Sequence, residues 1–463
     1  MAIVFAAMVP HPPLIIPQVG RGEEQLIEKT AEAFRSVMLA AAAAQPETVV
    51  IISPHAADAG DYFHISPRSG AAGDLSAFNA ASVKANVSYD EEFVRQLCQL
   101  AAAEDFPSGT MGEREADLDH ASLVPLYFLR EACGGSLPCR VVRLGLSGLP
   151  LSDHYKLGMM IKETAEKLGR RTVIIASGDL SHVLKEDGPY GFHEEGPIYD
   201  KKIMAAMGSG DFGALLEFDA DFCEKAAECG HRAFVIMAGS LDRTAVLARA
   251  LSYEGPFGVG YGVCSYRPLA EDGTRCFLDL FLAAYREKLK EIKAHEDSYV
   301  RLARLSLEAY ISRGEKIALP ASLPREMTET RAGVFVSLKK FGQLRGCIGT
   351  ISPTTASVAD EIIRNARSAA AEDPRFDPIS EEELAELVYS VDVLGEAEET
   401  SKENLDVKRY GVIVSCGSKR GLLLPNLEGV ETVAEQIAIA SRKAGIRKGE
   451  KVRLMRFEVT RHY

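Results

Sequence analysis

Three short apolar runs in this chain share one grammar. Residues 2–9 (AIVFAAMV) stop at Pro10-His11-Pro12-Pro13. Residues 48–52 (TVVII) stop at Ser53-Pro54-His55, and residues 172–176 (TVIIA) stop at Ser177-Gly178-Asp179-Leu180-Ser181-His182. Unbroken apolar runs of this length predict buried strands. In each case a histidine follows within a few residues. Open α/β sheets place their sites at the carboxyl ends of strands, so three imidazoles there are expected to converge on one crevice.

The pattern between the runs supplies the helices. Residues 22–45 are rich in Glu and Ala and predict a helix, which completes a βαβ unit. The stretch 57–85, rich in Gly, Ser and Ala, predicts irregular chain with short strands. Residues 89–103 put Phe93, Val94, Leu97 and Leu100 on one helical face. Asp117-Leu118-Asp119-His120 opens a further helix that runs to residue 132. A strand over 140–146 and a helix over 153–168 precede the third run. Helices over 197–208 and 211–217 follow it, then a segment over 219–240 that contains Glu228-Cys229-Gly230-His231 and continues as a helix. A glycine-broken strand over 257–266 closes this half.

Residues 268–276 read as a linker, and 278–313 as two amphipathic helices. From Gly333 the pattern changes. The runs VFVSL, LVYSVDVL, GVIVSC, GLLLP and KVRLMRFEV predict strands, interleaved with helices over 355–371 and 430–444. This is an α+β arrangement, distinct from the α/β first half.

Composition narrows the class. At 463 residues the chain should form two or three domains. A formal net charge of −13 disfavours nucleic acid as the main partner. The nine cysteines include no C-x-x-C pair, which reads as a reduced, cytoplasmic protein. The N-terminus lacks a basic region and is broken by prolines, which argues against a signal peptide. No apolar run reaches the length of about 18 residues that a membrane span needs.

Two imidazoles, His11 and His55, offer nitrogen donors for a divalent transition metal. One carboxylate would complete a two-histidine-one-carboxylate triad, the set used for non-haem Fe(II) oxygen chemistry. Glu228 is the best-placed carboxylate, with Cys229 and His231 as substitutes. His182 and His120 are then left for proton transfer near neutral pH. Asp119 and Asp179 either orient these rings or cap turns. In the second half, Cys347 of Leu-Arg-Gly-Cys-Ile-Gly is either a thiolate near Arg345 or a small buried cysteine. The run GPFGVGYGV lacks a following helix and a Lys-Ser/Thr pair, so it reads as a strand near close backbone contacts rather than a nucleotide loop.

Four motifs in order, PHPP, SPH, LDHASLVPL and SGDLSH, resemble those of the class III extradiol dioxygenases of the LigB-like superfamily. The resemblance covers residues 1–268. It implies a mixed-sheet α/β sandwich with Fe(II) held by His11 and His55. It further implies an acid–base role for His182, an active-site role for His120, and a small aromatic substrate with O2. The family's third ligand is a Glu in the segment that here reads ECGHRAF. Memo proteins, related in fold, have CG at this place and a cysteine at the metal, so Glu228 and Cys229 compete.

LRGCIG, NARSAAAEDPRF and LLLPN resemble the AMMECR domain over residues 290–463. In bacteria that domain occurs beside Memo-like and radical-SAM proteins, the AmmeMemoRadiSam system, so the resemblance admits a radical-SAM partner protein. No CxxxCxxC motif occurs, so this chain is not itself the radical-SAM member. The expected organisation is a LigB-like α/β domain over 1–270, a linker and helix over 271–289, and a smaller α+β AMMECR domain over 290–463. The expected function is Fe(II)-dependent extradiol cleavage of a catechol-like ring. The alternative is a metal-binding, non-oxygenase partner or modification factor. Neither nucleic acid nor a membrane is an expected partner, and a homo-oligomer is admitted.

Overall fold

The computed structural model describes residues 1–57, 59–112, 117–427, 429–447 and 449–463. The chain divides into two compact units, Met1–Ala283 and Ala284–Tyr463. Among the described residues no helix is long and apolar enough to cross a membrane.

The first unit is built on a six-stranded mixed sheet. In chain order its strands are β1 (Ile3–Val9), β2 (Thr48–Ile52), β3 (Arg140–Leu144), β4 (Thr172–Ser177), β5 (Thr244–Glu254) and β6 (Tyr261–Glu271). Across the sheet they run β3-β2-β4-β1-β6-β5. The first four are mutually parallel, and β6 pairs antiparallel with both β1 and β5. Parallel strands must be covered on both faces, and alternation along β1 shows how. Ala6 and Met8 enter one core with Val50, Ile52 and Ile174, while Ala7 and Val9 enter the other with Val49, Ile51 and Ile175. The helix Leu151–Leu168 packs into the first core; the helices Glu28–Ala43 and His120–Ala132 pack into the second.

Register places the strand ends level. Val9 lies beside Ser177, and Ile52 beside Ala176. His11, His55 and His182 therefore leave three adjacent strands at one edge of the sheet, in the order β2-β4-β1.

Two local expectations are corrected. The segment 219–240 is not one helix. A short helix (Ala220–Ala226) ends at Ala227, whose φ of 50° is left-handed, and a new helix starts at His231. A Cβ on either Gly178 or Gly230 would collide with the other glycine's backbone, so the two loops touch there. The proposed linker at 268 is also strand as far as Glu271, because β6 pairs with β5 along its length. In the second unit, LRGCIG lies within a strand, Gln343–Gly349.

The second unit holds two antiparallel four-stranded sheets. The first runs Gln343–Gly349, Val334–Lys340, Leu387–Leu394, Val459–His462. Helices Ser298–Arg313 and Val358–Ala371 cover it, burying Val336, Leu338, Ile362 and Ala366 in one core. The second sheet runs Glu398–Thr400, Arg453–Phe457, Gly411–Cys416, Lys419–Leu423 and packs on helix Val433–Lys443.

Candidate metal centre

The histidines that leave the sheet edge meet in a cleft of about 720 Å³. His11, His55, His120 and His182 all line it, together with Asp179 and the rings of Phe78, Tyr190, Phe257 and Tyr261. Ring nitrogens of His11, His55 and His120 that could ligate a metal lie within 4.8 Å of one another. Nε2 of His11 is 3.2 Å from Nε2 of His55.

The segments that carry these rings are anchored by polar contacts. The His11 backbone N–H donates to Asp179 Oδ1 at 2.8 Å, and its Nδ1 lies 3.2 Å from Ser177 Oγ. Ser177 spends its single hydroxyl hydrogen on the Ala121 carbonyl at 2.7 Å. Its oxygen must therefore accept from His11 Nδ1–H, and that tautomer leaves the Nε2 lone pair facing the cluster. The His55 backbone N–H donates to Ser53 Oγ, and Ser53 Oγ–H donates to Asp119 Oδ1. Asp119 also caps the helix that begins at His120, accepting from the Ser122 N–H and hydroxyl, both at 2.9 Å. One carboxylate thus ties the His55 loop to the His120 helix. The buried Arg143 guanidinium lies 3.8 Å from it.

Burial, and for His11, His120 and His182 the neighbouring imidazoles, favour the neutral form of these rings. His11 is held well below its ordinary value, first by burial and then by the neighbouring His55, His120 and His182. His120 is pushed down to about 4 by burial and by His55. His55 and His182 move the same way, chiefly through burial. Neutral imidazoles with free lone pairs are what a metal requires. His182 stands apart from the three: its ring stacks on Tyr190 at 5.3 Å between centroids.

The two competing residues of ECGH point in different directions. Cys229 Sγ lies 3.7 Å from His11 Nε2 and accepts from the Asp179 N–H at 3.3 Å. The structure turns Glu228 away. Its Oε2 accepts from the His231 N–H at 2.5 Å, at the start of the helix His231–Gly239. Burial pushes the Glu228 carboxyl up to about 7, against that hydrogen bond. His231 is also turned away, with Nε2 on the Leu215 carbonyl and Nδ1 on the Tyr199 hydroxyl. The acid beside the cluster is instead Asp179, with Oδ2 3.9 Å from His11 Nε2. Its carboxyl is pushed up to about 7 by burial, opposed by the His11 N–H. Asp179 sits inside SGDLSH, so its signal was in the sequence, but a turn-capping role accounted for it equally well. The donor set as a whole, three neutral imidazoles beside a thiol and a carboxyl, fits a divalent transition metal.

In the second unit Cys347 is not paired with Arg345. Nε and Nη2 of Arg345 both donate to Glu383 at 2.9 Å. Cys347 Sγ receives the Ser337 hydroxyl at 3.2 Å, and its N–H donates to Asp373.

Comparison with known proteins agrees with this division. Residues 5–264 match the family described as the catalytic LigB subunit of aromatic ring-opening dioxygenase, and residues 300–462 match AMMECR1. Protein CA_C1420 of Clostridium acetobutylicum is 40% identical over 464 residues, covering 98% of each chain. A Thermotoga maritima protein is 48% identical over 170 residues, covering 36% of this chain and 98% of its own. A solved structure, the uncharacterized protein JW3007 of Escherichia coli K12, is 12% identical with a TM-score of 0.38, covering 57% of this chain and 99% of that one. The chain therefore belongs to the LigB family through its first unit and carries an AMMECR1 domain behind it.

Proposed function

We propose that the first unit is an Fe(II)-dependent, extradiol-type ring-cleaving dioxygenase acting on a catechol-like aromatic. The observation that carries this reading is the meeting of His11, His55 and His120 beside His182 in one cleft of a LigB-family chain. When bound, the iron supplies a common centre on which substrate and O2 are oriented and exchange electrons. His11 and His55 would hold it, and His120 and Cys229 stand within reach of the same place. Phe78, Phe257 and Tyr261 form an apolar wall suited to an aromatic ring. His182, neutral at pH 7 through burial, accepts the phenolic proton and later returns it. Tyr190 stacks on that ring.

A second reading rests on Cys229. A thiol beside His11, with Glu228 turned to the His231 amide, departs from the two-histidine-one-carboxylate set. Sulfur favours softer metals such as zinc or copper. In this reading the unit is a metal-binding, non-oxygenase factor, with a radical-SAM protein as its partner.

One experiment separates the two. The full-length chain is loaded anaerobically with Fe(II), and oxygen uptake is followed over a broad panel of catechols. The dioxygenase reading expects uptake by wild type. It expects His182→Ala to keep its iron while the rate falls about 10²–10⁴-fold. No uptake with any catechol at full iron loading overturns the oxygenase reading and leaves the second.

A further inference from the structure

His182 has a place in the cleft because the peptides around it are pinned. The Leu180 N–H donates to the Gly260 carbonyl, and the Gly260 N–H donates to the Ser181 carbonyl, both at 2.8 Å. The Val183 N–H donates to Ser181 Oγ at 3.1 Å, and its carbonyl accepts from the His193 N–H at 3.0 Å. The Ser181 N–H, on the residue before the histidine, donates to Asp200 Oδ1 at 2.8 Å. Asp200 comes from a different element, the helix Glu195–Ser209, and is 1% exposed. Its second oxygen accepts from the Tyr253 hydroxyl on β5 at 2.7 Å.

We propose that Asp200 is a positioning residue for His182, holding the Ser181 peptide from which that imidazole projects into the cleft. A buried carboxylate is costly unless its oxygens are satisfied. Here both are, one by the backbone of the His182 loop. The glycine run ahead of and within β6 serves the same contact. A Cβ at Gly260 would collide with Asp200 Oδ2 and crowd Leu180, so the backbones meet there only without a side chain. Gly258, with a φ of +83°, lies against Gly188 and accepts the Leu184 N–H through its carbonyl. GPFGVGYGV is thus the bed of the catalytic-histidine loop. The proposal rests on the acid–base reading of His182 for its consequence in turnover, but not for its geometry.

The test uses full-length, zinc-loaded protein labelled with ¹³C and ¹⁵N at histidine and with ¹⁵N at serine. In Asp200→Ala the His182 ring resonances shift while those of His55 and His120 hold. Ser181 amide exchange accelerates about tenfold, as expected for one lost hydrogen bond. Asp200→Asn, whose amide oxygen still accepts from Ser181, restores both. Where a catechol is turned over, Asp200→Ala lowers kcat and leaves KM unchanged. A wild type that turns over no catechol defeats the proposed function, yet the resonance and exchange measurements still decide this inference. Unchanged His182 resonances and Ser181 exchange in folded Asp200→Ala overturn it, as does a folded Asp200→Asn that fails to restore them. If Asp200→Ala does not fold, Tyr253→Phe removes one donor from Asp200 and is read the same way. A smaller shift of His182 supports the inference, and no shift overturns it.

Discussion

Cys229 Sγ stands 3.7 Å from Nε2 of His11, while the carboxylate of its neighbour Glu228 is bound to the His231 amide. Adjacent residues thus have separable jobs. Cys229→Ala is expected to lose most of the bound metal and keep its fold. Glu228→Ala is expected to keep its metal and lose about 1 kcal/mol of stability, the usual net contribution of one hydrogen bond. Metal analysis and thermal unfolding of the two variants check both outcomes. Full metal in Cys229→Ala would remove the thiol from the ligand set.

The Ser177 hydroxyl fixes the His11 tautomer through its bond to Nδ1. Ser177→Ala removes that acceptor without touching the cluster. The expected result is metal affinity about 10–100-fold weaker, the range found for such supporting groups. A chelator competition titration measures it.

The helices Leu151–Leu168 and His231–Gly239 approach through glycines. A Cβ at Gly158 would strike the Ile236 carbonyl, and one at Gly239 the Tyr155 carbonyl. Gly158→Ala must force them apart, at a cost of about 1–3 kcal/mol. Because Cys229 lies two residues before the start of the second helix, metal affinity should fall along with stability. Calorimetry and metal titration of the same variant test the link.

Glu361 in the AMMECR1 domain is fully buried. It accepts from Thr350, Thr354 and Thr355, and Arg364 lies 2.8 Å away. Burial alone would raise its carboxyl, but the threonine donors outweigh it and hold the group at about 2 instead of 4.5. A depressed carboxyl stabilises the fold fully above its ordinary value and loses that contribution as pH falls through 4.5 toward 2. Calorimetry of the full chain from pH 7 to pH 2 should show wild type losing stability across this window. Glu361→Gln should be less stable at pH 7 and flatter below 4.5.

Much of this protein was written locally. A buried strand followed by a histidine is a pattern of adjacent residues, so β1, β2, β4 and the positions of His11, His55 and His182 could be read from periodicity. The Asp119 cap and the helix behind His120 were equally local, because a short polar side chain ahead of an apolar run satisfies the first free N–H groups. The edge strand β5 was not legible. Its sequence, TAVLARALSYE, is rich in alanine and lacks clean alternation, and pairing with β6 overrides that composition.

The sequence by itself determined which residues could take part in the site; tertiary structure decided which of them face it. Glu228 and Cys229 are neighbours, and no spacing rule separates them. The left-handed turn at Ala227 and the close approach of Gly178 to Gly230 aim the thiol at His11 and the carboxylate at His231. His120 was legible as a site residue, but its place beside two other imidazoles depends on Asp119 bridging to Ser53 from a distant loop. Asp200 was invisible for the same reason. Its work is a hydrogen bond to Ser181, 19 residues away in sequence and on another element, and only the packed sheet brings the two together.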